Sequence, residues 1–209
     1  MNGSSFLEMT HRVLILLLTT FMLVGCSRAP ELPRLPSDAV ILAFGDSLTR
    51  GTGAGSGEGF AEVLAVLGGR EVVNAGVPGE ESDAGLARLP RILDVVQPDL
   101  VILGHGGNDM LRRRDLEQTK ANLRQMVMFA RDRGASVVLL GIPKPGLFLG
   151  THPLYRELAD DLEIPLEDKV LADVLADRDL KADQIHPNAA GYRQVAEAVH
   201  RLLKDAGAL

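Results

Sequence analysis

The sequence has no tryptophan, and aromatic residues make up only 4% of it, so it offers little for stacking nucleic-acid bases. Lysine and arginine number 22 against 28 acidic residues, which gives a formal net charge of −6, and the longest basic run is Arg112–Arg114. A protein that follows a phosphate backbone needs a basic stripe, and this chain lacks one. The single cysteine excludes an intramolecular disulfide and any metal site built from several thiolates. Nucleic acid is therefore excluded as the main partner.

Hydrophobic runs long enough to span a membrane are also absent. The longest run, Val13–Val24 (VLILLLTTFMLV), falls short of the about 20 apolar residues that a spanning helix needs, so residues 1–25 are predicted to be a signal peptide. At its end Leu23–Cys26 (LVGC) resembles the bacterial lipobox, which implies that Cys26 is lipidated and anchors the mature chain to a membrane. We expect a periplasm-facing lipoprotein of the bacterial cell envelope. In lipoproteins that this segment resembles, a residue other than Asp after the cysteine permits sorting to the outer membrane, and Ser27 stands at that position.

Residues 26–38 form a proline-rich stretch in which Pro30, Pro33 and Pro36 recur at every third position. This spacing favours an extended polyproline-type conformation of about 3.1 Å per residue, so the stretch is predicted to be a stiff tether. Residues 39–209 would then form the folded domain, held clear of the bilayer.

Apolar runs and helical patterns alternate along residues 39–209. Some runs are predicted to be strands buried on both faces, because each is almost continuously apolar and ends near a glycine. These runs are Ala39–Phe44, Glu71–Ala75, Leu100–Leu103 and Ser136–Leu140. Helical segments lie between them; one opens with a capping box at Asp115–Gln118, and the C-terminal one places its apolar residues on one face. The alternation predicts an α/β fold, a three-layer α/β/α sandwich around a parallel, flavodoxin-like central sheet.

Polar residues suited to catalysis follow the predicted strands. Ser47 comes just after the first strand, Asn74–Gly79 ends the second, Asn108 follows the third, and Asp183–His186 precedes the last helix. Because the carboxyl ends of parallel strands meet at one edge of a sheet, these segments are expected to converge. Each alone has an ordinary structural explanation, since glycine and asparagine form turns and a serine after a strand is commonly a helix N-cap. Together they supply a nucleophile, a base, a carboxylate and oxyanion donors.

The same segments resemble the four blocks of the GDSL, or SGNH, hydrolases. The matching residues are GDSL at 45–48, NAGVPG at 74–79, GGND at 106–109 and DQIH at 183–186. The resemblance extends over residues 40–205 and is greatest to the branch of lysophospholipases, acyl-CoA thioesterases and arylesterases. It implies the SGNH hydrolase fold and the activity of a metal-independent serine esterase.

Residue roles follow from this resemblance position by position. It implies that Ser47 is the nucleophile, His186 the general base and Asp183 the carboxylate that orients the base. The implied oxyanion donors are Ser47, Gly79 and Asn108. Gly76 is the alternative to Gly79, which is preferred because the family's turn places the donor glycine at its end.

Two features allow more than one interpretation. His105 stands where many relatives carry an apolar residue, and it either contacts substrate or fills space. In the loop after the fourth strand, Leu147, Phe148 and Leu149 either line an acyl-binding surface or pack on the sheet. No cofactor and no metal are expected, because Gly51–Gly59 is not a phosphate-binding loop and the histidines lack metal-ligand spacing.

We therefore expect a serine esterase of the arylesterase, lysophospholipase or thioesterase type, whose partner is a small-molecule or lipid acyl ester. An O-deacetylase of envelope polysaccharide or peptidoglycan is the alternative, because the same catalytic residues would serve it. A non-catalytic binding lipoprotein is a third hypothesis, and the intact set of catalytic residues argues against it. The apolar residues 147–149 and the scarcity of aromatic residues favour acyl chains over sugars. The sequence leaves the oligomeric state open.

Overall fold

The computed structural model describes residues 30–146 and 150–209. The predicted signal peptide, the predicted lipidation site Cys26 and the predicted acyl-binding residues Leu147, Phe148 and Leu149 lie outside these ranges. Within them, no helix combines the length and the apolar character needed to cross a membrane.

A five-stranded parallel sheet forms the centre of the fold, with its strands in the order β2-β1-β3-β4-β5. The strands are β1 (Val40–Gly45), β2 (Glu71–Gly76), β3 (Leu100–Gly104), β4 (Ser136–Leu140) and β5 (Leu166–Glu167). The first four are the predicted strands, shifted by no more than one residue at either end. Strand β5 is too short to show any hydrophobic pattern and was missed. The predicted α/β fold with a parallel sheet is confirmed.

Helices cover both faces of the sheet. They are α1 (Ser47–Arg50), α2 (Phe60–Gly68), α3 (Ser82–Val96), α4 (Gly107–Leu111), α5 (Leu116–Arg131), α6 (Pro153–Leu162), α7 (Val170–Ala176) and α8 (Ala189–Asp205). Helix α2 packs against α8, which α7 also contacts, whereas α5 packs against both α3 and α6. These two groups are the outer layers of the predicted sandwich.

Helix α5 begins where the capping box was predicted, but the box forms only in part. The side chain of Asp115 accepts from the backbone N–H groups of Glu117 and Gln118. The side chain of Gln118 does not return to Asp115; its Nε2 donates to Oδ1 of Asn122 at 2.9 Å. The side chain of Gln118 therefore bonds to the buried Asn122, one turn further along the helix.

Residues 30–36, which fall within the predicted stiff tether, are attached to the folded domain. The backbone N–H groups of Leu32 and Leu35 donate to the carbonyl oxygens of Ala206 and Ala208, at 2.8 and 2.9 Å. The side chain of Leu35 is buried in the core, and this burial supplies hydrophobic free energy that holds the segment on the domain. The folded domain therefore begins before residue 39, and any freely extending part of the tether ends before Leu32.

Candidate active site

The carboxylate of Asp46 joins two of the sequence motifs at the carboxyl end of the sheet. Asp46 follows β1 and caps α1, because its Oδ1 accepts from the backbone N–H of Leu48 at 3.0 Å. Its Oδ2 accepts from Nδ2 of Asn108, near the start of α4, at 3.2 Å. Burial raises the pKa of Asp46 above its ordinary value. The helix that opens with Ser47 and the helix that carries Asn108 are thus connected through one buried side chain.

A hydrogen-bonded chain links the serine, the histidine and the aspartate of the sequence motifs. Nε2 of His186 lies 3.0 Å from Oγ of Ser47, and Nδ1 of His186 lies 2.8 Å from Oδ2 of Asp183. A carboxylate only accepts hydrogen bonds, so Nδ1 carries the ring proton and Nε2 accepts from the Ser47 hydroxyl. The chain has the connectivity that activates a serine for nucleophilic attack.

Asp183 also shapes the loop that carries His186. Its Oδ1 accepts from the backbone N–H groups of Ile185 and His186, at 2.8 and 2.9 Å. Burial acts to raise the pKa of Asp183, but hydrogen bonds from the His186 ring and from these two backbone groups outweigh it and lower the pKa. The carboxylate is therefore ionised beside the imidazole, where it stabilises an imidazolium as it forms.

The two candidate glycines of the second block differ in what their N–H groups do. The N–H of Gly76 donates to Oδ1 of Asn74 at 3.0 Å, so it is already engaged. The N–H of Gly79 makes no hydrogen bond within the described part of the chain, and neither does that of Ser47. Gly79 does not line the cavity described below. It has φ of 76° in the turn after β2, next to Glu80, whose carbonyl oxygen accepts from Asn108 Nδ2 at 3.0 Å.

An open cavity of about 820 Å³ lies against Ser47, Asn108 and His186. Its apolar lining residues are Leu48, Leu111, Ile142, Pro143, Pro145, Leu175, Ala176 and Ile185. Two of these, Leu111 and Ile185, are 46% and 42% exposed. The volume and the mixture of apolar walls with a few polar groups are typical of a small-molecule site. Sequence patterns did not identify these walls, because they come from separate loops and helices.

His105 does not contact this cavity, so of the two sequence interpretations the interior one applies. Its side chain is fully buried, and its Nε2 lies 3.1 Å from Oε2 of Glu80. Glu80 also pairs with Arg88, whose Nε lies 2.7 Å from Oε1 of Glu80. Sequence reasoning missed this cluster, because its members are 8 and 25 residues apart and form no local motif.

Among the described residues, no group of three or more His, Cys, Asp or Glu side chains is placed to hold a metal ion.

The site can accept and return a proton at His186 and can donate hydrogen bonds from Asn108 and from the backbone N–H groups of Ser47 and Gly79. Those are the requirements of acyl transfer through a tetrahedral intermediate.

Comparisons with known proteins agree with this chemistry. Residues 43–194 match the GDSL-like Lipase/Acylhydrolase family. The chain is 32% identical over 194 residues to Esterase TesA of Pseudomonas aeruginosa, covering 88% of this chain and 96% of that protein. It is 30% identical to Thioesterase 1/protease 1/lysophospholipase L1 of Escherichia coli, covering 78% of this chain and 83% of the relative. The crystal structure of TesA superimposes with a TM-score of 0.71 at 32% identity, covering 80% of this chain and 99% of the other.

Proposed function

The chain belongs to the GDSL-like lipase/acylhydrolase family and is a carboxylic ester hydrolase, and we propose that it cleaves acyl esters or thioesters with Ser47 as nucleophile. The observation that carries the proposal is the hydrogen-bonded chain from Ser47 through His186 to Asp183 at the edge of an 820 Å³ cavity. His186 acts as general base and acid, and Asp183 holds its ring and stabilises its charged form.

Acyl transfer proceeds in two halves. Oγ of Ser47 attacks the carbonyl carbon of the ester while its proton passes to Nε2 of His186. The tetrahedral intermediate collapses when His186 returns that proton to the leaving alcohol or thiol, which leaves the acyl group on Ser47. Water then attacks the acyl-enzyme, giving its proton to His186, and the second collapse releases the acid and restores the Ser47 hydroxyl.

Donors for the oxyanion are the Asn108 amide and the backbone N–H groups of Ser47 and Gly79. One N–H of Asn108 is held by the carbonyl oxygen of Glu80 at 3.0 Å. The other makes the longer contact of 3.2 Å to Asp46, and we assign this one to the oxyanion. Removing one such donor typically slows acyl transfer about 100- to 1000-fold.

The apolar lining of the cavity favours an acyl chain longer than acetyl. Leu111, Ile142, Leu175 and Ile185 offer methyl and methylene groups to the substrate, and each methylene buried is worth about 0.8 kcal/mol. Relatives named esterase, thioesterase/lysophospholipase and arylesterase support the same range of acyl substrates. Among the described lining residues there is no aromatic side chain of the kind that sugar recognition favours, which argues against the deacetylation of a polysaccharide.

Cellular location is a further part of the proposal. Cys26 carries lipid and anchors the domain in the bacterial cell envelope, facing the periplasm, at the outer membrane. Support comes from the sequence alone, from the lipobox-like Leu23–Cys26 and from Ser27.

A fluorophosphonate probe tests the nucleophile. The probe should label Ser47, and Ser47→Ala should lose both the label and at least about 1000-fold in kcat on p-nitrophenyl butyrate, with its circular dichroism unchanged. Ser56→Ala is the matched control, because Ser56 is an exposed serine outside the cavity, and it should label and react like the wild type. Near wild-type turnover by Ser47→Ala would end the serine-esterase proposal.

A further inference from the structure

Glu80 lies in the turn that leads from β2 to α3, and its carboxylate is only 7% exposed. Arg88, on α3, holds both oxygens, with Nε 2.7 Å from Oε1 and Nη2 2.7 Å from Oε2. His105, which directly follows β3, adds a contact of 3.1 Å from Nε2 to Oε2. Burial acts to raise the pKa of Glu80, but the hydrogen bonds from His105 and Arg88 outweigh it and lower the pKa. An ionised carboxylate is thus held by donors from two separate elements.

Hydrogen bonds to the ring and to the backbone carbonyl fix the orientation of His105. Its Nδ1 accepts from the backbone N–H of Gly106 at 2.9 Å, so Nδ1 carries no proton and Nε2 donates to Glu80. Its carbonyl oxygen accepts from the hydroxyl of the buried Tyr155 at 2.7 Å. This buried histidine therefore fills interior space and also donates a hydrogen bond in one fixed direction, to Glu80.

Arg88 extends the cluster to the ends of two strands. Its Nη2 donates to the carbonyl oxygens of Gly45 and Ala75, at 3.2 and 2.8 Å. Its guanidinium lies 4.0 Å above the ring of Phe44. These contacts connect Glu80 to the end of β1, two residues before the proposed nucleophile, and to the end of β2, where the turn begins.

The backbone of Glu80 meets the proposed oxyanion hole directly. Its carbonyl oxygen accepts from Nδ2 of Asn108 at 3.0 Å, and the residue before it is Gly79, whose N–H is unengaged within the described residues. The side chain and the carbonyl of one residue therefore connect the Arg88–His105 cluster to two of the three oxyanion donors. Donors of this kind are effective only when they are held in place before the reaction begins.

We propose that Glu80, held by Arg88 and His105, is a positioning residue for the oxyanion hole. The carboxylate fixes the turn so that the Glu80 carbonyl aligns the Asn108 amide and the Gly79 N–H points to the developing charge. The proposal rests on the proposed serine-esterase function. Because the oxyanion develops only after Ser47 attacks, the cluster acts on kcat and leaves KM nearly unchanged.

Glu80→Gln tests the proposal, because it removes the charge and keeps the size of the side chain. With p-nitrophenyl butyrate, we expect kcat to fall about 10- to 100-fold and KM to stay within about 2-fold. The same change made in Asn108→Ala should lower kcat by less than about 3-fold, since the donor that Glu80 aligns is then missing. Equal losses in the two backgrounds, or a loss carried by KM, would overturn the proposal.

His105 provides a second pair of variants that does not depend on Glu80→Gln folding. His105→Leu removes the donor to Glu80, whereas His105→Gln retains an N–H donor, so kcat should fall about 10-fold in the first and recover to within about 3-fold of wild type in the second. Similar kcat values for the two variants would contradict a positioning role.

A destabilised control separates positioning from a general loss of stability. Leu203→Ala creates a cavity in the buried core face of α8, and it should lower the melting temperature while kcat stays at the wild-type value. A fall in its kcat equal to that of Glu80→Gln would show that loss of stability alone explains the effect. Ser47→Ala in the same assay distinguishes the two proposals: if it is inactive and Glu80→Gln is fully active, only the positioning role fails.

Discussion

Gly76 ends β2 and Gly79 lies three residues later in the turn, and the two glycines have different roles in the structure. Gly76 packs so closely on α1 that an added Cβ would lie 2.2 Å from the backbone nitrogen of Arg50. At Gly79 the nearest atom to an added Cβ is Nη2 of Arg112, at 3.9 Å, and only the positive φ of 76° opposes a side chain there. The sequence could place a donor glycine in this turn only by family resemblance. Asn74, which accepts from the Gly76 N–H, is oriented by a tertiary contact, since its Nδ2 donates to Oε1 of Glu62 at 3.0 Å.

Substituting alanine for each glycine should affect folding at Gly76 and activity at Gly79. Gly76→Ala should fail to fold, because the clash is with backbone and cannot be relieved by a side-chain rotation. Gly79→Ala should fold with a loss of about 1–2 kcal/mol from the left-handed backbone, and its kcat should fall about 10-fold or more because the strained turn moves the N–H donor. Thermal unfolding and kcat on p-nitrophenyl butyrate measure both effects. A folded, fully active Gly79→Ala would contradict the expected loss and would show that the turn keeps its backbone N–H in place when residue 79 carries a Cβ.

At the scale of elements, prediction succeeded where a hydrophobic pattern was long enough to be specific. Strands β1, β3 and β4 are almost continuously apolar because both of their faces are covered. Strand β2 lies at the edge of the sheet and is only partly buried, so the prediction that it is buried on both faces was wrong. Strand β5 has only Leu166–Glu167 and no pattern. The Asp115 cap was predicted, but the side chain of Gln118 was assigned the wrong partner, because Asn122 competes for it. The sequence motifs predicted the three residues that the structure joins by hydrogen bonds, Ser47, His186 and Asp183. The Glu80–Arg88–His105 cluster was not predicted, because it forms between elements distant in sequence.

Helix α4 contributes an apolar wall whose role can be measured. Leu111 ends α4, lines the cavity and is 46% exposed, so Leu111→Ser should disturb the fold little. It should lower kcat/KM about 10-fold on decanoyl esters, because a contact with about two methylenes is lost, and leave acetyl esters nearly unchanged.

Val95→Ser is the matched control for this prediction. Val95 is 77% exposed on α3 and does not line the cavity, so the change removes a similar exposed apolar group at a distance from the substrate. Its activity should be independent of chain length. If Leu111→Ser changes kcat/KM by the same factor on every ester in the series, as Val95→Ser should, this wall does not bind the acyl chain. That result would favour a substrate with a short acyl group.

At the scale of the whole molecule, the N-terminal segment lies at the amino ends of the parallel strands, and the candidate active site lies at their carboxyl ends. Leu32 and Leu35 are hydrogen-bonded to Ala206 and Ala208, just beyond the C-terminal end of α8. Helix α8 starts next to the loop of His186, at the carboxyl edge of the sheet, and runs back to the amino edge where the parallel strands begin. A chain that arrives at Leu32 therefore enters the domain on the side remote from Ser47.

This geometry limits what an enzyme anchored through Cys26 can reach. The backbone from Cys26 to Leu32 spans at most about 20 Å when fully extended. A domain of about 180 residues is about 40 Å across, so the anchored domain cannot turn its catalytic edge to the leaflet that holds its own lipid. We therefore expect that the protein, when anchored through Cys26 as proposed, hydrolyses water-soluble esters readily and esters embedded in its own membrane slowly.

Lengthening the connection tests this orientation. Lipid-modified protein, identified by palmitate labelling that Cys26→Ser abolishes, is reconstituted in vesicles that contain a fluorogenic long-chain ester. Inserting about 30 Gly/Ser residues between Ser27 and Arg28 adds about 30 Å of root-mean-square reach, which is enough for the domain to turn over. Hydrolysis of the embedded ester should rise about 10-fold or more, because the catalytic edge then meets the bilayer, while hydrolysis of a soluble butyryl ester serves as the control and should stay constant. Equally fast hydrolysis of the embedded ester with the short and the long connection would mean that the catalytic end of the sheet already reaches the membrane. The attachment of Leu32 and Leu35 to the C-terminal residues would then have to open in the anchored protein.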